Sequence, residues 1–191
     1  MNMGRFERQT RFFGKKGQKR IRNAHVVVVG AGGIGSHVIQ QLAFLGVGGL
    51  TIIDPDELEE TNRNRLIGSY YCDPIPGTKK VYIAERLIHS IDPSIKVKVV
   101  PKKLRTKESF TAIKNSDYVF GCVDNDESRF ILNELCIAFE IPYFDLASDI
   151  KNNHYGGRVF INFDENGCLY CYDLLDLTKY KCKSNFSRSE K

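Results

Sequence analysis

The chain has 191 residues, 42% apolar and 27% charged, with a net charge of +5. That is enough to bury a sizeable core and too apolar for a disordered chain. No apolar run reaches the roughly 20 residues that cross a bilayer, so no membrane partner is expected. Residues 1–23 lack the apolar stretch of an export signal, so a cytoplasmic chain with its six cysteines reduced is expected. The mild charge comes without a nucleic-acid recognition motif, so no nucleic acid is expected either.

Eight basic residues stand before residue 24 (Arg5, Arg8, Arg11, Lys15, Lys16, Lys19, Arg20, Arg22) against Glu7 alone, and residues 1–24 are read as a basic helical extension. Residues 25–29 end in four valines, the pattern of a strand covered on both faces. Residues 30–35 form a glycine-rich turn. From Ile34 the apolar positions Val38, Leu42 and Leu45 follow at helical spacing until Gly46 stops the run. Residues 50–54 read as a second strand. The polar stretch 55–78 is too long for an ordinary connection, and such loops usually serve function. Helical spacing returns over 79–91 and halts at Asp92-Pro93. Then come a strand (96–100), a helix (107–115), a strand (118–123), a helix (127–139) and two strands (142–146 and 157–163). Such alternation specifies an α/β fold, a Rossmann-like, mostly parallel sheet with helices on both faces.

The turn Gly30-Ala31-Gly32-Gly33-Ile34-Gly35 follows a strand and opens a helix. Its glycines let the backbone approach a phosphate, whose charge the exposed amides and the helix dipole favour. Asp54 follows Gly35 by 19 residues at a strand end, where a carboxylate can accept from ribose hydroxyls. These two features fit any nucleotide, including the cofactor of an NAD-dependent oxidoreductase. Asp56, Thr61, Asn62, Arg63, Asn64 and Arg65 follow, then Lys80 at a helix start and Asp124-Asn125 at a strand end. Hydride transfer has no use for this convergence of cations and acid. Phosphoryl or nucleotidyl transfer does, because cations neutralise phosphate oxygens and an acid holds Mg²⁺. Asp124 also fits a plain helix cap, Asp56 a turn former, and Lys80 an exposed first helical turn.

In these parts the chain resembles the ubiquitin-activating E1-like superfamily of ThiF, MoeB and HesA adenylyltransferases. The resemblance runs from Arg5 to Cys182. It rests on Arg5-Phe6-Glu7-Arg8-Gln9, the G-x-G-G-x-G-S turn, D-x-D-x(5)-N-x-N-R from Asp54, G-x-x-K before the 79–91 helix, C-x-D-N from Cys122, and Cys168-x-x-Cys171. It implies that residues 25–167 are an ATP-binding adenylation domain and 168–191 a C-x-x-C and crossover segment. Gly30, Gly32, Gly33 and Gly35 would lie against the ATP phosphates, and Asp54 would hold the ribose. Asp56 and the segment from Thr61 through Asn62, Arg63 and Asn64 to Arg65 would contact the nucleotide. Lys80 would bind phosphate, and Asp124, beside Asn125, would hold Mg²⁺. Arg8 would reach in from the neighbouring protomer of a homodimer. The substrate would be the C-terminal carboxylate of a small ubiquitin-like or sulfur-carrier protein ending in Gly-Gly.

Cys168 and Cys171 make half of a structural Zn²⁺ site, with Cys182 as a third ligand and no fourth; a redox or structural pair fits equally. Cys182, among Lys179, Lys181 and Lys183, is either an acyl- or sulfur-accepting cysteine or an incidental one. Cys72, Cys122, Cys136 and all four histidines are read as structural or solvent-facing. Relatives often carry an acid where Gly121 stands, and the family domain continues beyond residue 191, so the chain reads as C-terminally truncated. A non-catalytic nucleotide-binding scaffold or fragment is the alternative function.

Overall fold

Four consecutive valines, Val26 to Val29, are buried in strand β1 (His25–Val29), the middle of a six-stranded sheet. The computed structural model describes residues 3–151, 154–163 and 167–176. The strands β2 (Gly49–Ile53), β3 (Lys96–Val100), β4 (Tyr118–Gly121), β5 (Tyr143–Lys151) and β6 (His154–Asn162) complete it in the order β3-β2-β1-β4-β5-β6. β1 to β5 run parallel, and β6 returns antiparallel to β5. The order reverses between β1 and β4, the place where open α/β sheets leave a crevice beyond the carboxyl ends of their strands.

Alternate residues of each strand feed two cores. On one face Val26, Val28, Leu50 and Ile52 meet helices α2 (Gly33–Leu45) and α3 (Lys80–Ile91) through Ile39, Leu42, Val81 and Ile88. On the other, Val27, Val29, Ile53, Val119 and Tyr143 meet α4 (Lys107–Lys114) and α5 (Asp126–Ala138) through Ile113, Leu132 and Cys136. Each fully buried Val, Leu or Ile is worth about 1.5–3 kcal/mol relative to exposure, so these two layers dominate the driving force. Local signals then set the helix ends. Gly46 adopts a left-handed φ of 82° and closes α2 by donating to Ala43 and Leu42 carbonyls. Thr106 caps α4 through Ser109 N–H, and Asn125 caps α5 through Ser128 N–H.

The basic extension is the helix α1 (Glu7–Asn23), broken at Gly14. It docks across the ends of α2 and α3. Gln9 Nε2 donates to Leu45 O at 2.7 Å, and Arg22 Nη1 to Asp92 Oδ2 at 3.1 Å. Phe6 packs so closely on Gly46 that a Cβ there would lie 2.5 Å from its ring carbons.

Most expected elements agree within a residue; the sheet's far edge differs. β5 begins at Tyr143 and runs to Lys151, because β6 pairs with it along nine residues, beyond the reach of β4. β4 stops at Gly121, two residues before the expected end, and frees the chain to turn towards α5. Gly121 itself answers to packing: a Cβ there would fall 2.4 Å from the Tyr143 hydroxyl.

Helices α2 and α3 cover β1 to β3. The same face of β4 to β6 presents Tyr118, Val159 and Ile161, which are 40%, 69% and 46% exposed, with Phe120 stacked on Phe144 at 4.6 Å. Among the described residues this part of the sheet carries no charged side chain and no helix covers it.

Candidate functional site

Three chain segments meet at the carboxyl ends of β1, β2 and β4 around a cleft of about 1150 Å³. The first is the glycine turn. Gly30 has a φ of +92°, and a Cβ on it would fall 2.5 Å from the Cys122 carbonyl oxygen, so glycine is needed for both conformation and space. A Cβ on Gly35 would meet Gly30 O at 1.9 Å; this residue packs the helix against the turn and does not line the cleft. Gly30→Ala is expected to cost at least about 1 kcal/mol, because backbone cannot yield as a side chain can. A lower urea midpoint at unchanged slope would register it.

Asp54, at the end of β2, is 5% exposed. Ala31 N–H donates to its Oδ2 at 2.6 Å, and Asp56 N–H to its Oδ1 at 2.8 Å. Burial raises its pKa against those two amides. Asp54 thus ties the glycine turn to β2 while still facing the cleft.

The second segment is the loop 55–78, which is ordered by its own contacts. Leu58, Leu66 and Ile83 bury one another. Asn62 Oδ1 accepts from Glu59 N–H at 3.1 Å and closes the short 3₁₀ turn Glu60–Asn62. Ser36 Oγ accepts from Ile67 N–H at 3.1 Å, drawing the loop onto the first turn of α2. As a result the Arg65 side chain lies over Gly33, whose Cβ would sit 3.1 Å from Arg65 Cδ. Arg65 Nη1 is steadied by the Thr61 carbonyl at 2.5 Å and by Asn64 Oδ1 at 3.3 Å. Arg63 points elsewhere: its guanidinium donates to Tyr70 O, Asp73 O and Glu60. Of this expected group, Asn62 and Arg65 line the cleft, whereas Thr61, Arg63 and Asn64 hold the loop.

The same loop carries a pH-sensitive contact. Arg86 grips both oxygens of Asp73 at 2.7 Å, which holds that carboxyl below its ordinary value although burial opposes it. A lowered folded pKa means stability present above the unfolded value and lost as pH falls through the folded one. The stability gap between the native chain and Asp73→Asn should therefore be full at neutral pH and shrink below about pH 4. Urea titrations at several pH values would measure it.

The third segment is the β4–α5 turn. Asn125 takes the helix cap, and its Nδ2 donates to Asp124 Oδ1 at 3.1 Å. Asp124 is left exposed at the cleft wall, in the same cavity as the glycine turn. Lys80 completes the constellation from the first turn of α3. Its Nζ pairs with Asp56 Oδ2 at 3.0 Å, and its side chain is only 12% exposed. Gly30, Gly32, Gly33, Asp54, Asp56, Asn62, Arg65, Lys80, Asp124 and Asn125 all border this one cavity. Arg8, exposed on α1, does not.

Four basic cleft residues escaped the sequence reading: Lys102, Lys103 and Arg105 of the β3–α4 connection, and Arg129 of α5. The signal for the first three is a basic run directly after a strand end. Lys102 pairs with Glu108 at 2.7 Å, and Arg105 with Glu127 across to α5. Six basic side chains and four acidic ones line the cleft, an excess suited to a polyanion.

A family model described as the ThiF family matches residues 6–186. The chain belongs to the ThiF family. It is 36% identical over 129 residues to a SAMP-activating enzyme E1 of Haloferax volcanii, covering 68% of this chain and 47% of that protein. It is 33% identical over 170 residues to an adenylyltransferase and sulfurtransferase of Yarrowia lipolytica, covering 88% and 41%. Among solved structures, E. coli tRNA N6-threonylcarbamoyladenosine dehydratase in complex with ATP superposes with a TM-score of 0.67 at 30% identity, over 75% of this chain and 58% of that one. The chain thus spans less than half the length of these two curated relatives. The resemblance drawn from the short motifs is to this same ThiF family, and the open parallel sheet is its fold.

Cys168 and Cys171 lie away from the cleft, with their Sγ atoms 3.5 Å apart. Among the described residues no group of three or more His, Cys, Asp or Glu is placed to hold a metal ion. A closed zinc site needs four ligands, and the described residues supply two. Cys182 lies outside the described residues. Cys122 and Cys136 are pushed up to about 12 by burial, which suits structural thiols.

Proposed function

We propose that this chain adenylates a protein C-terminus. ATP binds with its phosphates on the glycine turn, and the C-terminal carboxylate of a ubiquitin-like or sulfur-carrier protein attacks the α-phosphorus. The new bond is carboxylate oxygen to phosphorus, and the bond to the bridging oxygen breaks to release pyrophosphate. The observation that carries this reading is the meeting of Arg65, Lys80 and Asp124 with the glycine turn in one cleft. The relatives named as activating enzymes and adenylyltransferases support it.

An α-carboxyl group has a pKa of about 3.3–3.7, so it is already nucleophilic at neutral pH and needs no general base. The barrier is electrostatic, an anion approaching a polyanion. Arg65 and Lys80 reduce it by holding phosphate oxygens, and their fixed positions spare reorganisation when the reaction occurs. Lys80 has three N–H donors and spends one on Asp56. Mg²⁺ fits this donor set, since it binds through one or two carboxylates plus substrate phosphates, and Asp124 supplies an exposed carboxylate at the cleft wall. When bound it would neutralise phosphate charge. Among the described residues, Cys168 and Cys171 are the two that would hold Zn²⁺.

The carrier ends in Gly-Gly, whose lack of side chains suits a narrow approach to the cleft. Arg8 reaches the cleft of a second copy, and the open, uncharged face of β4 to β6 supports a homodimer. A cytoplasmic, reducing compartment is supported by the free thiols of the five described cysteines. Transfer of the acyl group from the adenylate to the Cys182 thiol, forming a thioester and releasing AMP, completes the scheme. The test is ATP–pyrophosphate exchange with and without a Gly-Gly-ending carrier. Carrier-dependent exchange supports the reading; ATP binding without exchange assigns the chain to a non-catalytic scaffold.

A further inference from the structure

The connection 101–106 leaves the carboxyl end of β3 and is anchored on the α4 side. Ser109, fully buried, donates from Oγ to the Lys103 carbonyl at 3.1 Å, and Thr106 N–H donates to Leu104 O at 2.9 Å. Leu104 packs against the apolar layer that α4 and α5 share. These contacts fix the backbone of the connection and leave the Arg105 side chain 69% exposed. Its Nη2 donates to Glu127 Oε1 in the first turn of α5, and both residues line the cleft.

The topology gives this pair its reach. In the order β3-β2-β1-β4, the two connections it joins leave β3 and β4, with β2 and β1 between them. Those middle strands end at Ile53 and Val29, directly before Asp54 and Gly30. Arg65 and Lys80 come from the α2 and α3 side of the sheet, whereas Arg105 and Glu127 come from the α4 and α5 side. A nucleotide laid from the glycine turn to Asp54 therefore has cations on one flank and the ion pair on the other. The pair adds little to the fold. Its partners are 69% and 40% exposed, such pairs contribute little to stability, and the cap of α5 belongs to Asn125.

We propose that Arg105 and Glu127 are positioning residues that clasp the bound nucleotide. The pair closes the α4 and α5 side of the cleft over ATP and parts in water to admit and release it. The clasp presupposes the ATP site proposed for this cleft. Simple attraction of phosphate to Arg105 makes the opposite demand on Glu127, because a carboxylate beside a polyanion repels it. In the clasp, Glu127 aids binding despite its charge, by holding Arg105 and the connection in place.

ATP affinity of the full chain is measured by titration calorimetry with Mg²⁺ and without carrier, so no turnover enters the readout. Arg105→Ala and Glu127→Gln should each raise the Kd about fivefold, the most that an exposed ion pair supports. The double variant should rise no further than either single one, since both remove the same contact. The exchanged pair, Arg105→Glu with Glu127→Arg, should recover most of the native affinity. Thermal melts without ATP should match the native chain, which separates the clasp from a part in folding. Glu127→Gln binding ATP as tightly as the native chain, or more tightly, overturns the clasp and leaves the ATP site standing. Additive losses in the double variant do the same. A native chain that binds no ATP overturns both the site and the clasp.

Discussion

Lys80→Ala is expected to lower carrier-dependent ATP–pyrophosphate exchange by about 10²–10³-fold, the loss typical when one fixed charge-stabilising donor is removed from a site. The lysine is well placed for so large an effect. Its side chain is 12% exposed, it is positioned by Asp56 at 3.0 Å, and it opens a helix whose first turn borders the cleft. Stability should barely change, because Asp56 is 62% exposed and recovers water once its partner is gone. Pairs of this kind are worth about 0–1 kcal/mol. Asp124→Ala should lower exchange similarly and spare the fold, since the cap of α5 belongs to Asn125. Exchange assays paired with thermal melts separate the two effects. If either variant exchanges at the native rate, the cleft does not neutralise a triphosphate and the proposed chemistry fails.

What could be read from residue order alone was whatever depends on local periodicity and on special backbone. The valine run, the glycine turn and the helical spacings of α2, α3 and α5 each carry their meaning within about a dozen residues. The convergence of Arg65 and Lys80 on the turn was legible because strand ends of a parallel sheet point to one edge. Other features depend on single contacts between distant residues. The loop 55–78 is ordered by Arg86 on Asp73 and by Arg63 on Tyr70 and Asp73, which no period announces. Arg63 and Arg65 differ by two positions in a polar run, and only the fold sends one into the loop and the other over Gly33. Asp124 and Asn125 are both good caps, so the choice between them needed the geometry of the turn. Arg129 sits within an ordinary helical pattern, and its partner lies 16 residues away on β5.

That partner is the point at which the fold is most vulnerable. Asp145 is completely buried and receives Arg129 Nη1 at 2.5 Å, Arg158 Nη2 at 3.2 Å and the Tyr143 hydroxyl at 3.0 Å. Asp145→Asn is expected to destabilise the chain by about 3–5 kcal/mol, because Arg129, 6% exposed, would keep only Asp126, 3.9 Å from its Nε, as a counter-charge. For a chain of this length that lowers the melting temperature by roughly 6–20 °C. Arg129→Ala should cost a comparable amount, and Arg158→Ala less, since its side chain is 27% exposed and can reach water. Asp145→Asn combined with Arg129→Ala should lose less than the two separate costs together, as partners in one network do. A small or strictly additive loss in urea unfolding would show that the carboxylate does not hold this corner together. The functional consequence follows from the other bonds of Arg129, which also grips the carbonyls of Val123, two residues past β4, and of Leu146, within β5. Removing its counter-ion loosens the turn that presents Asp124, so exchange should fall even at temperatures where the chain stays folded.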